Sequence, residues 1–341
     1  MSVKPNPRRR IALWLFTCCG MIVVMAMLGA ITRLTQSGLS ITDWAPIMGV
    51  VPPLNHAAWQ QAFDAYRKIP QYQVLNRGMT LHEFKGIFFW EWFHRLWGRL
   101  IGLVFALPLL WFAATRRIDK SVGFKLLGLL ALGGLQGFIG WFMVESGLEV
   151  RTSVSPYRLA LHLGMALLIY ALMLWIALGL FGIRKMTAAK SLKRHGWAAL
   201  LLLAITMCWG AFTAGLHAGE VYNTWPLMGG AILPPAGFAL EPAWLNAFAN
   251  PGLVQFIHRW LGPATALVIL LWIWRLCRAA PDKADRCWPL ALGGMAIVQV
   301  ALGISTLLTH VEIVLAVTHQ AGAITLLTLT LINLKRLTPR A

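Results

Sequence analysis

Charge is scarce in this chain. Only 12% of its 341 residues are Asp, Glu, Lys or Arg, and 58% are hydrophobic. A soluble domain carries about twice that share of charge, so soluble globular, disordered and fibrous classes are excluded. Acidic residues are the rarest kind: 12 stand against 30 Lys and Arg, a net charge of +18. In a membrane protein such an excess belongs to topology-fixing loops, so no nucleic-acid partner is expected. The five cysteines, Cys18, Cys19, Cys208, Cys277 and Cys287, have neither metal-site spacing nor a disulfide framework. The first apolar run lacks a small-residue cleavage site and outlasts a signal peptide, so it is expected to stay as an anchor. No long Arg- and Ser-rich presequence precedes it, which favours a bacterial inner membrane over an organelle. The expected class is an all-α, multi-pass integral membrane protein surrounded by lipid.

A bilayer core of about 30 Å takes roughly 20 apolar helical residues to cross. Eight stretches qualify: 11–31, 86–114, 126–144, 159–183, 197–216, 253–274, 288–308 and 313–334. Helices suit them because each satisfies its own backbone hydrogen bonds in lipid. The N-terminus, the second–third, fourth–fifth and sixth–seventh connections, and the C-terminus together carry 20 of the 30 Lys and Arg. By the positive-inside rule both termini are then cytoplasmic, and the long loops 33–85 and 217–252 are periplasmic.

The chain also repeats itself. GAITRLTQSGLSITDWAPIMG from Gly29 returns as GAFTAGLHAGEVYNTWPLMG from Gly210, each followed by a Pro pair, Pro52-Pro53 and Pro234-Pro235. HRLWGR at His94 answers HRWLGP at His258, Gln136 answers Gln299, and His162 answers His319. The expected architecture is two pseudo-symmetric four-helix bundles, residues 1–183 and 184–341, related by an axis along the membrane normal.

The odd-numbered spans contain no charged residue and no histidine, whereas each even-numbered span carries one histidine: His94, His162, His258 and His319. All four fall in the first part of their spans, towards the periplasmic side. Ionisable residues in a membrane are costly and mark function by default. A single histidine could as well pack and hydrogen-bond between helices, but four at similar depth, two per repeat, argue for ligation. A metal cluster or proton relay would recruit carboxylates, and only Glu91 is available at that depth. Heme iron takes two axial imidazoles from facing helices, which pairs His94 with His162 and His258 with His319. Gly98, Gly102, Gly164, Gly262 and Gly322 could let a flat macrocycle approach the helices, or serve tight helix packing. Arg95 and Arg259, each next to a histidine, suit heme propionates, with Arg99 one turn on. The halves differ at Glu91, which is Gln255 in the second. A carboxylate beside one heme only could handle protons there, or could be a structural partner for Arg95.

The stretches EFKGIFFWEWFHRLWGR and TRLTQSGLSITDW, with the paired His-Arg motifs, resemble the heme A synthase family over nearly the whole chain. That family oxidises a methyl group of heme O to a formyl group, making heme A for terminal oxidases. The resemblance implies that His94 and His162 hold the substrate heme O, with Glu91 catalytic, and that His258 and His319 hold a permanent heme B. It implies heme O synthase and oxidase assembly factors as partners, and leaves a homo-oligomer open. Some bacterial members carry a cysteine pair in the first outer loop. Residues 33–85 contain no cysteine, so a thiol relay there is not expected, and the chain resembles the proteobacterial and mitochondrial branch. Two other functions use the same histidines: a quinol-linked diheme cytochrome b, and a heme transporter or chaperone.

Orientation is directly testable. A reporter fused after residue 341 should read cytoplasmic and one placed within 217–252 periplasmic. The reverse pattern would overturn the charge argument.

Overall fold

A computed structural model describes residues 7–44, 48–149, 151–280 and 282–339. Residues 45–47 of the first repeat copy and the terminal basic residues Lys4 and Arg340 lie outside the described residues. Among those described, eight helices are long and apolar enough to span a membrane. They are α1 (Pro7–Leu34), α4 (Leu81–Ala114), α5 (Lys120–Leu148), α6 (Pro156–Phe181), α7 (Lys190–Gly215), α9 (Pro251–Ala279), α10 (Lys283–Leu308) and α11 (Ile313–Arg336). Short helices α2 (His56–Tyr66), α3 (Pro70–Val74) and α8 (Asn246–Ala249) lie in the two long loops. The chain is an all-α integral membrane protein. Large apolar side chains such as Leu107, Leu110, Leu201 and Ile297 are exposed along the helices, as expected where hydrocarbon is the solvent.

Local sequence explains where several helices begin. Thr80 and Glu83 form a reciprocal cap at the start of α4, each side chain taking the other's backbone N–H. Asn250 accepts from the N–H groups of Gly252 and Leu253, with Pro251 in the first turn of α9. Asp282 caps α10 and Glu312 caps α11. Backbone N–H donors hold both carboxyls below their ordinary range, with Arg184 adding to the effect at Asp282.

The chain forms two compact units. In the unit Thr17–Ile169, the first long loop builds an aromatic cluster from Phe63, Tyr66, Tyr72, Phe84 and Phe88, with Leu39, Ile69 and Val154. Leu39 packs where a side chain on Gly147 of α5 would clash, the hypothetical Cβ lying 2.7 Å from it. That seat fixes the loop residues that follow, Ser40 and Ile41.

The second unit comprises Met1–Phe16 and Tyr170–Ala341. Here α7 packs along α9, α9 along α10, α10 along α11, and α11 returns to α7. Fully buried Trp272 fills the space beside Gly196 and donates to the Leu192 carbonyl at 3.0 Å. At the end of this unit that carries the fourth–fifth connection, two short strands pair in parallel, β1 (Met186–Ala188) with β2 (Leu337–Pro339). Beside them Arg336 pairs with Asp285, both almost wholly buried, while Arg184 reaches Asp282 at 2.6 Å and Asp285 at 3.2 Å.

Removing one partner strands the other's charge in a dry site. Asp285→Ala should therefore cost about 3–5 kcal/mol, read as a lower unfolding midpoint in detergent. Asp282→Ala should matter far less, because its pair with Arg184 is screened by water.

Candidate heme-binding site

Each span histidine sets the Cε1 edge of its ring against a glycine on the preceding membrane-length helix. A Cβ on Gly29 of α1 would sit 3.2 Å from Cε1 of His94, and one on Gly140 of α5 only 2.9 Å from Cε1 of His162. In the other unit the corresponding distances are 2.9 Å for Gly210 of α7 to His258, and 2.9 Å for Gly303 of α10 to His319. Any other residue there would have to displace an imidazole. The sequence reading passed over these four glycines, although the signal was present. Gly29 and Gly210 open the two repeat copies, and Gly140 and Gly303 stand four residues after Gln136 and Gln299, on the same helical face.

Those glutamines attach to the second histidine of each pair. Gln136 Nε2 donates to the His162 carbonyl at 3.1 Å and lies 3.1 Å from its Nδ1. Gln299 Nε2 donates to the His319 carbonyl at 2.9 Å and lies 3.2 Å from its Nδ1. In both glutamines the histidine carbonyl, which only accepts, fixes Nε2 inward, so the ring Nδ1 meets an amide donor, while Oε1 is buried without a hydrogen-bond partner. The first histidines are held differently. His258 Nδ1 donates to the Thr206 carbonyl at 3.1 Å, whereas His94 Nδ1 is buried with no hydrogen-bond partner among the described residues.

The fit to heme iron rests on three observations. The His258 and His319 ring centroids are 6.4 Å apart with planes at 82°. Metal–nitrogen bonds of about 2 Å put two rings on opposite sides of one metal roughly 6 Å apart. Among the described residues no group of three or more His, Cys, Asp or Glu gathers to hold an ion, so paired imidazoles are the ligands on offer. Finally, a Cβ on Gly102, Gly164 or Gly262 would meet nothing within 4 Å, leaving open space beside the helix backbones. Gly98 and Gly322 do not share that openness. Gly98 faces the Met25 methyl, and Gly322 makes room for the Gln299 side chain, the tight-packing alternative.

The arginines and Glu91 fasten loops. Arg95 donates to Glu91 at 2.7 Å and to the carbonyls of Ile41 at 3.0 Å and Asp43 at 3.3 Å. Arg259 donates to the carbonyls of Tyr222, Pro226 and Leu227, each at 3.1 Å. Ile41 and Tyr222 occupy matching places in the repeat, so both arginines grip the same loop position. Glu91 is 3% exposed and accepts at Oε2 from the Ser40 hydroxyl at 2.7 Å and the Ile41 N–H at 2.8 Å. Gln255, its counterpart, reverses the polarity by donating to the Tyr222 carbonyl at 3.1 Å.

Membrane-length helices carrying paired imidazoles, with no competing ligand cluster among the described residues, define a multi-pass membrane protein with candidate imidazole ligand pairs. Residues 12–331 match the cytochrome oxidase assembly protein family, and the chain belongs to that family. It is 54% identical over 333 residues to the heme A synthase of Rhodospirillum centenum, covering 97% of this chain and 89% of that protein. It is 49% identical to the heme A synthase of Agrobacterium fabrum, covering 96% and 90%. The figure for the heme A synthase of Nitrosomonas eutropha is 46%, covering 93% and 91%.

The glycine seats give a sharp test. Gly210→Ala or Gly303→Ala should push the imidazole aside and lower low-spin heme in the purified protein about tenfold or more. Gly294→Ala, also on α10 but with nothing within 4 Å, should leave the heme spectrum unchanged.

Proposed function

We propose that this chain oxidises a methyl group of heme O to a formyl group, yielding heme A, and that its two imidazole pairs are its two iron sites. Near-full-length similarity to heme A synthases is the observation that carries the reaction. His94 and His162 hold the substrate heme O. His258 and His319 hold a resident heme B, which supplies electron transfer when bound. Residues 1–183 and 184–341 form two four-helix halves with both termini cytoplasmic, so the ligands lie towards the periplasmic face of a bacterial inner membrane. Arg95 and Arg259 serve the propionates while anchoring the loops, and Arg259 keeps a buried Nε–H to spare. Heme O synthase and oxidase assembly factors are the partners on either side of the reaction.

Glu91 distinguishes this reading from a diheme cytochrome b or a heme carrier. Those need the imidazoles, but neither needs a carboxylate beside one site only. Converting a methyl to a formyl group replaces two C–H hydrogens by an oxygen, a four-electron oxidation whose electrons pass to an external oxidant and whose C–H protons need a group to receive them. Iron-bound imidazoles cannot act as free bases. Glu91 Oε2, which accepts from the Ser40 hydroxyl and the Ile41 N–H, is the carboxylate oxygen that takes up the proton. Arg95 holds Oε1 and keeps the carboxylate aimed.

Glu91→Gln tests this. Gln255 shows that an amide can be accommodated at the matching position of the other half, so the variant should fold and bind both hemes. Heme A formation should drop by about 100-fold or more, with heme O or its alcohol accumulating in chromatographed heme extracts. Wild-type heme A would leave Glu91 a loop anchor only.

A further inference from the structure

The two sites offer equivalent ligands but unequal support, and the difference traces to two residues per half. A carbonyl oxygen only accepts, so the Thr206 carbonyl requires the proton of His258 on Nδ1 and leaves the lone pair on Nε2 for a metal. The Thr206 hydroxyl meets the Thr265 hydroxyl at 2.6 Å, bridging α7 to α9 in a buried position. That bridge draws the Thr206 carbonyl into reach of the imidazole. At the matching positions the first half has Met25 and Ile101, which have no hydroxyl. Met25 instead packs its methyl on Gly98, and His94 Nδ1 is left without an acceptor among the described residues. The glutamine on the opposite ligand is common to both sites, so it does not distinguish them.

An acceptor on the outer nitrogen fixes the tautomer and orientation of a ligating imidazole and raises its basicity, and losing one costs about 10–100-fold in metal affinity. We infer that the Thr206–Thr265 bridge makes His258 a tight axial ligand, and that Met25 and Ile101 leave His94 a weak one. Thr206 and Thr265 are thus positioning residues that make the second site retentive. The first site releases its porphyrin readily, as a site that must exchange substrate for product requires. This inference rests on the assignment of the two imidazole pairs to two hemes.

The test follows heme leaving the purified protein for excess apomyoglobin, read by absorbance, which needs no turnover. Wild type loaded at both sites should release heme in two phases separated by about 10–100-fold. The double variant Thr206→Met with Thr265→Ile should speed the slow phase towards the fast one. The double variant Met25→Thr with Ile101→Thr should slow the fast phase. Thr206→Ser with Thr265→Ser keeps both hydroxyls and should keep the slow phase, which separates loss of the bridge from loss of folding. Two phases that neither bridge variant shifts would overturn the inference and leave the two-heme reading intact. Absence of any bis-imidazole heme signal from the wild type would overturn both.

Discussion

An imidazole inside a membrane helix needs space that an ordinary helix contact does not leave. All four span histidines obtain it from a glycine on the preceding helix. Much of the local design follows from that seating. The Cε1 edge of the ring abuts the glycine, so its rotation is restricted and its outer nitrogen faces whatever the neighbouring helix presents. In α7 this is a carbonyl, and in α5 and α10 it is a glutamine amide. Polar groups in hydrocarbon are expensive unless paired, so those neighbours determine how firmly each ligand is held.

The loops follow a similar economy. One arginine next to a histidine in each half reaches out of its helix and takes backbone carbonyls from the loop after the preceding span. The ligand-bearing helix and the loop above it thereby become one mechanical piece within each unit. In the first unit the attachment is ionic, with Glu91 between Arg95 and the Ile41 N–H. In the second, a neutral glutamine meets the Tyr222 carbonyl. A carboxylate can accept and release a proton where an amide cannot, so the same anchoring geometry has chemical capacity on one side only.

Much of this was legible in the sequence, because bilayer thickness and the cost of charge act on composition directly. Eight apolar runs became eight long helices, and the helices extend past the runs because caps such as Thr80 with Glu83 and Asn250 with Pro251 sit outside the apolar core. The four histidines stood out by rarity. The residues that hold them did not, since a glycine in a membrane helix has many uses. Gly102, Gly164 and Gly262 lie open, while Gly98 and Gly322 are filled by Met25 and Gln299. Repeat position alone could not make that distinction, which depends on the side chain opposite. The Asp285–Arg336 pair was hidden for the same reason: both residues read as members of basic connections, and only packing of α10 against α11 brings them together.

Equivalent ligands and inequivalent supports are what this reaction demands of one chain. A substrate site must open to exchange a porphyrin whose edge has changed by one oxygen and a few hydrogens, a difference too small to eject it by contact energy alone. On the proposed assignment, release comes from weak iron ligation on that side. A resident electron carrier needs the reverse, since each departure would stop turnover. On the proposed assignment, both requirements are met without altering the histidines, through the backbone acceptor supplied by Thr206 and the contact that Met25 makes in its place. In that proposal the histidines define which cofactor fits, and Thr206 and Met25 decide how long it stays.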